Sequence, residues 1–338
     1  MMGTFDQLPL ARQVELMQGI ATAALPRWGM EEAHLELLKH RENTVFKVLV
    51  AGEEPCVMRV HRQQYHSDAQ LTSELVWLES LRAAGVATTE GIPCRDGSLF
   101  ALAATAEVPE GRQCDLLRWV PGEAIGSLEA GVHLEEPVLQ TVYRQVGEQA
   151  ARIHNHGETW SPPEGFSLLV WDENGFFGET GAICGRYWDL ASLTANQLAL
   201  LHRARDVTAL ALSEFGKTPD RYGLVHGDFL PENLFYDGRA VRLIDWDDTG
   251  FSWHVYDFAT AMFPHLGQDS YDVALVAMVE GYRRQRALPD HHLEMLPFLV
   301  MARTLSYVGW VHSRGAAGRE LEPLAVAVAC ALAEEIVN

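Results

Sequence analysis

The chain has 338 residues, 48% of them hydrophobic and 21% charged, which supports a sizeable core and excludes a disordered chain. Its net charge of −20 argues against nucleic acid or an anionic membrane as partner and is compatible with a cationic small molecule. No apolar run approaches the roughly 20 residues that span a bilayer, and the start "MMGTFDQLPLARQVEL" lacks the basic-then-apolar layout of a signal peptide. Cys56, Cys94, Cys114, Cys184 and Cys330 are scattered and show no zinc or redox spacing. A cytoplasmic protein with reduced thiols is expected.

In chain order, "PLARQVELMQGIATAALPRWG" (9–29) has helical periodicity and ends at Pro26 to Gly29. "NTVFKVLV", "AGEEP" and "CVMRVHR" then read as strand, turn and strand, from β-branched residues and a Gly/Pro break. Residues 67–85 are predicted helical: Ser67 and Gln70 make a capping box, Leu71, Leu75, Leu78 and Leu81 a stripe, and Gly85 a C-cap. Two more strands are expected in "SLFALAAT" and "CDLLRWV", closed by "PGE" at 121–123. From about 136 the chain turns helical, with "EPVLQTVYRQVGEQAARIHNHG" stopping at Gly157 and further helices near 194–215, 270–286, 290–313 and 321–337. One β island interrupts them, "ENLFYDGRAVRLIDW", two apolar strands around an Asp237-Gly238 turn. Two domains follow, 1–121 with a five-stranded sheet plus helix and 122–338 mainly helical.

Residues 224–235, "LVHGDFLPENLF", set an acid, Asp228, and an amide, Asn233, inside an apolar run. Burying a carboxylate without a partner costs several kcal/mol, so these groups require something to engage. Asn233 precedes the first hairpin strand and Asp245 ends the second, which places them nearly opposite each other. An amide oxygen and a carboxylate side by side are hard ligands suited to Mg²⁺, and Asp228 close by is placed to accept a proton from a hydroxyl. That is the equipment of phosphoryl transfer. Capping of turns is the alternative for either residue taken singly.

"HGDFLPEN", with Asp245 of "LIDW" twelve residues beyond Asn233, resembles the catalytic loop of the protein-kinase-like phosphotransferases. The glycine after histidine marks the aminoglycoside phosphotransferase/choline kinase/homoserine kinase branch. The resemblance implies an α+β, bilobal protein-kinase-like fold with a small antiparallel-sheet N-terminal lobe, a larger helical C-terminal lobe, and ATP with Mg²⁺ as cofactors. It implies Asp228 as catalytic base and Asn233 and Asp245 as metal ligands. It also implies a cation on the third strand paired with a glutamate on the next helix, and Arg59 and Glu74 occupy those places. Glu74 shares the inward stripe of its helix and needs a cation there. The family usually has lysine where Arg59 stands, although arginine can hold phosphate bidentately; a purely structural ion pair is the alternative.

The phosphate loop would be "KHRENTVFKV", without GxGxxG, in which Asn43 and Thr44 turn the chain and offer backbone donors. "LLRWVPGE" resembles the interlobe hinge, with backbone of 118–121 on adenine and Trp119 either there or in packing. Asp257 of "YDFA" is carried over as a brace of the catalytic loop, and His226 as scaffold. The acceptor, a small-molecule hydroxyl of the amino alcohol, homoserine, choline or aminoglycoside class, is placed near Trp171, Asp172, Tyr187, Trp188 and Asp189, for each of which a core role is the alternative. Asp247 and Asp248 fit either a solvated turn or an auxiliary contact.

Three rival signals rank lower. "GKT" at 216–218 has Ala211 where a P-loop needs its first glycine and runs into Pro219. His154 and His156 read as dipole partners at a helix C-terminus. "VRLIDWDDTG" resembles haloacid-dehalogenase-like phosphatases, with Asp245 as nucleophile and Asp247 as acid/base, but the chain after it looks helical and its last lysine is Lys217. A stress-response-type serine/threonine protein kinase on the same fold and a catalytically weak binding protein on a kinase scaffold are the remaining alternatives.

Overall fold

A computed structural model describes residues 5–314 and 318–338. The chain divides into two compact units, the residues through Pro121 with Pro162–Ser167, and Gly122–Ser161 with Leu168–Asn338.

The first unit begins with helix α1 (Leu10–Ala24), followed by strands β1 (His34–His40), β2 (Thr44–Leu49) and β3 (Cys56–Val60), helix α2 (Asp68–Ala83), and strands β4 (Ala101–Ala103) and β5 (Arg112–Arg118). The strands form one antiparallel sheet in the order β1-β2-β3-β5-β4. Alternation sorts its faces: Phe46, Val48, Met58, Val60 and Leu116 share a core with Leu16, Ile20, Ala21 and Ala24 of α1. Each of the larger buried side chains among them stabilises by roughly 1.5–3 kcal/mol. The opposite face carries Arg59 and Asp115 toward Glu74 of α2. The Ser67/Gln70 capping box is present; Ala84 closes α2 and Gly85 follows at φ +80°. Ser73 accepts the Ser167 N–H at 2.9 Å, which ties Pro162–Ser167 to this unit.

The second unit starts with short strands β6 (Glu123–Ala124), β7 (Gly126–Ser127) and β8 (Gly131–Val132), then helix α3 (Glu136–Thr159), β9 (Leu169–Val170), α4 (Glu173–Phe177) and α5 (Ala195–Phe215). Strands β10 (Tyr222–Val225), β11 (Leu234–Tyr236), β12 (Val241–Leu243) and β13 (Gly250–Trp253) follow. They lead to α6 (Val255–Met262), α7 (Ser270–Arg283), α8 (Asp290–Leu293), α9 (Leu296–Ser313) and α10 (Glu322–Val337). Two small sheets, β10-β13-β9 and β12-β11-β6, sit among the helices.

Two helix boundaries differ from expectation. Helix α3 passes through Gly157 and ends at Thr159, because a single glycine costs only about 1 kcal/mol while the prolines at 162 and 163 end the run. The single helix expected over 290–313 is two, α8 and α9, since Pro297 lacks an N–H and begins a new first turn. Helices α3 and α7 cross at glycines: a Cβ on Gly147 would lie 2.0 Å from the Met278 carbonyl, and one on Gly281 1.9 Å from that of Arg144. Among the described residues no helix is long and apolar enough to cross a membrane.

Candidate active site

The loop leaving β10 turns at Gly227, which has φ +83° and would place a Cβ 2.5 Å from the Asp248 carbonyl oxygen. Only glycine fits there. Asp257, fully buried on α6, accepts the N–H groups of His226 (3.2 Å) and Gly227 (2.8 Å). Thr260, also on α6, accepts the Phe229 N–H at 3.1 Å and donates to the Asp257 carbonyl. Three atoms of one helix therefore fix the turn that carries Asp228. Burial pushes the Asp257 carboxyl up to about 6. His226 accepts the Asp228 N–H on Nδ1 (3.3 Å), its ring is packed by Phe229 and Trp246, and burial pushes it down to about 4. A neutral ring whose Nδ1 is occupied is scaffold. His154 departs from the helix-end role expected of it: it is buried, with Nε2 3.0 Å from Asp257 Oδ2 and Nδ1 2.8 Å from the Tyr282 hydroxyl.

The Asp228 carboxylate is gripped from two sides. Asn233 Nδ2 donates to its Oδ2 at 2.7 Å and to its backbone carbonyl at 3.0 Å, and Arg303 Nη2 donates to its Oδ1 at 2.7 Å. With the amide nitrogen so committed, Asn233 Oδ1 accepts no hydrogen bond from the described residues. The β11–β12 hairpin pairs Leu234 with Leu243, and the Ile244 N–H reaches the Asn233 carbonyl at 3.1 Å, so Asn233 and Asp245 lie at the same end. Asp245 has φ +61°, in the left-handed region that non-glycine residues seldom enter. Backbone strain of this kind concentrates at functional sites. Burial together with the charges of Asp228, Asp245 and Asp247 pushes the Asp248 carboxyl well above the usual range, against the opposing pull of Arg303. Cys184 is close to Asp248, Arg303 and Asp228; burial pushes its thiol up to about 12, so it stays protonated.

The aromatic and acidic residues expected to line the acceptor site have other tasks. Trp171 is fully buried and its indole donates to the Asp248 carbonyl at 2.8 Å, while Tyr187 is packed in the core. Asp172 caps α4 and pairs with Lys217; Asp189 pairs with Arg186; Trp188 stands edge-on to Tyr187. Core packing explains Trp171 and Tyr187, and capping explains Asp172.

In the first unit, Arg59 Nη2 donates to Glu74 Oε1 at 2.8 Å, and Arg59 Nε donates to Asp115 Oδ1 at 3.0 Å with a further contact from Nη2 to Asp115 Oδ2. His61 Nε2 stands 3.3 Å from Asp115 Oδ1. Burial raises the Asp115 carboxyl, but Arg59 and His61 outweigh it and hold it well below the usual range. The structure thus brings Arg59 and Glu74 together. Asn43 accepts the Arg41 N–H at 3.0 Å in the β1–β2 turn, and Trp119 lies under Lys47 Nζ, 4.6 Å from its ring centroid.

Sequence reasoning missed Arg303 and Asp115. Both carried a signal, being a lone charge in an apolar element ("LVMARTLSYVGW" and "CDLLRWV") that requires a counter-charge when buried.

A catalytic-type loop set by glycine, a carboxylate paired with an amide, and an acid on the hairpin that follows define a phosphotransferase of the protein-kinase-like class. The chain belongs to the "Phosphotransferase enzyme family", whose profile matches residues 34–288. It is similar to the solved structure of a microcompartment-associated aminopropanol kinase, with TM-score 0.81 and 33% identity, covering 94% of this chain and 97% of that one. The amicoumacin kinase of Bacillus subtilis (strain 168) is 21% identical over 304 residues, 87% of this chain and 84% of that one. The amicoumacin kinase hAmiN, solved with AMP-PNP, Ca²⁺ and Ami, has TM-score 0.74 and 17% identity, covering 96% and 92% of the two chains. The chain is therefore a small-molecule kinase that transfers phosphate to a hydroxyl. The phosphatase reading of Asp245 is overturned: the family match runs through this segment, and β12, which leads to Asp245, belongs to an antiparallel hairpin rather than an alternating α/β sheet.

Proposed function

We propose that this protein moves the γ-phosphate of ATP to the hydroxyl of a small amino alcohol, with Asp228 as catalytic base. The observation that carries this reading is the Asp228 carboxylate, held by Asn233 on one oxygen and Arg303 on the other and left 15% exposed. The acceptor O–H proton passes to Asp228, a bond forms from the acceptor oxygen to the γ-phosphorus, the bond to the bridging oxygen breaks, and ADP leaves.

Asn233 and Asp245 would hold Mg²⁺. The uncommitted amide oxygen of Asn233 and the carboxylate of Asp245 are hard oxygen donors, and among the described residues no three His, Cys, Asp or Glu side chains converge on one point. A small protein ligand set completed by phosphate oxygens and waters suits Mg²⁺, which dehydrates reluctantly. When bound, the metal neutralises phosphate charge. Arg59, oriented by Glu74, would engage the nucleotide phosphates in the unit through residue 121, with the Asn43 turn offering backbone donors and the chain at Trp119 meeting adenine; residues 122–338 would supply the catalytic loop and acceptor site. ATP as donor fits the cytoplasmic location read from the sequence.

An amino alcohol is favoured by the 33% identical aminopropanol kinase. The test is ADP formation with MgATP against 1-amino-2-propanol, ethanolamine, homoserine, choline, propan-2-ol and a serine-rich protein. Highest kcat/KM with a primary amino alcohol is expected. Equal turnover of propan-2-ol, or turnover of the protein alone, would overturn the acceptor assignment.

A further inference from the structure

We propose that Arg303 is a positioning residue for the transfer, fixing the orientation in which the Asp228 carboxylate meets the acceptor hydroxyl. The inference rests on Asp228 being the base.

Arg303 lies in the middle of α9, a helix whose residues from Leu299 to Ser306 are all buried. Its guanidinium passes 5.9 Å from the Phe263 ring centroid and ends on Asp228 Oδ1. Side-chain exposures are 8% for Arg303 and 15% for Asp228, so the acid is the more open member of the pair. A carboxylate has about four lone-pair directions. Asn233 takes one on Oδ2 and Arg303 one on Oδ1, and two contacts on opposite oxygens fix the plane of the group. Asn233 by itself binds through a single nitrogen and leaves the carboxylate free to swing about its Cβ–Cγ bond.

Arginine suits this task. Its guanidinium does not give up a proton in proteins, so the contact stays charge-assisted, and its planar shape fixes direction as well as distance. The charge of the same side chain also acts on Asp248, Cys184 and Tyr256. A buried arginine with only a packing role has no need to end on the one carboxylate whose orientation the chemistry requires.

The experiment compares Arg303→Met, Arg303→Lys, Asp228→Asn and the Arg303→Met/Asp228→Asn double variant by single-turnover transfer from labelled ATP, with steady-state KM and nucleotide Kd alongside. Arg303→Met is expected to lower the transfer rate roughly 100-fold, the size of an ångström-scale misplacement, with nucleotide Kd within about twofold of wild type. Arg303→Lys should recover about 10-fold of that loss, having charge without the planar fork. In the Asp228→Asn background, Arg303→Met should add less than about twofold, because residues that act as a unit are not additive. A full further loss in that background, or an unchanged rate in Arg303→Met, would overturn the proposal. If Arg303→Met shows no cooperative melt, Arg303→Lys decides: a reduced rate at unchanged nucleotide Kd supports it, and a wild-type rate overturns it. Turnover surviving in Asp228→Asn would remove the base assignment itself, a separate outcome from loss in Asp228→Asn with an unchanged Arg303→Met.

Discussion

Arg59 on β3 and Asp115 on β5 are register partners across an antiparallel pair, and their side chains meet in a buried ion pair with Arg59 Nε 3.0 Å from Asp115 Oδ1. Glu74 joins from α2, so one guanidinium answers two buried acids. A lysine offers a point charge at the end of a flexible stem; the fork of arginine reaches a strand neighbour and a helix at once. The departure from the usual lysine is accompanied by an acid on the adjacent strand.

Removing Asp115 leaves Arg59 under-compensated in a site that is 5% exposed. Breaking a buried pair costs about 3–5 kcal/mol. Urea unfolding of Asp115→Ala should show a loss of that order, and one below about 1 kcal/mol would mean that Glu74 satisfies Arg59 without help.

Gly227→Ala forces a Cβ against the Asp248 carbonyl at a backbone angle that L-residues avoid. The left-handed conformation alone costs about 1–2 kcal/mol, and the clash must move the turn bearing Asp228. The variant should lose at least about 2 kcal/mol of stability and most of its kcat, read by denaturation and by ADP formation. Full activity would show that the turn tolerates displacement.

His226 is buried neutral, with its folded pKa lowered from 6.5 to about 4. Above pH 6.5 both folded and unfolded states are neutral and no penalty exists. As pH falls the unfolded chain takes up a proton that the folded chain refuses until about pH 4, so stability is lost across that window by about 3 kcal/mol. Denaturant titrations of His226→Gln should fall less steeply than wild type between pH 6.5 and 4. Equal slopes would assign the acid sensitivity to other groups.

Asn233→Ala removes an amide oxygen available to a metal and one of the two grips on Asp228. The Mg²⁺ concentration giving half-maximal rate should rise by at least ~10-fold, and EDTA should abolish turnover in the wild type. An unchanged Mg²⁺ dependence would place the metal elsewhere.

Much of the fold was legible in the sequence. Period-2 strands around the "AGEEP" turn and the Ser67/Gln70 cap each carry a local physical signature, and the resemblance of the "HGDFLPEN" loop implies the α+β kinase-like class. Local signals fail where tertiary partners decide. Strands β9, β10 and β13 are short and exist through pairing with one another, so no stretch of sequence announces them. Gly157 is a helix stop only when nothing beyond holds the helix. Asp115 and Arg303 look like stray charges until the fold supplies Arg59 and Asp228 from far along the chain. Asp228, Asn233 and Asp245 could be singled out as candidates because one loop and one hairpin carry them.

The central claim is tested by single-turnover transfer of labelled γ-phosphate from MgATP to 1-amino-2-propanol by wild type and Asp228→Asn, both shown to be folded and to bind nucleotide equally. A fall of the order of 100-fold or more in the variant, the scale of general base catalysis, is predicted. Transfer by Asp228→Asn at close to the wild-type rate would contradict the account.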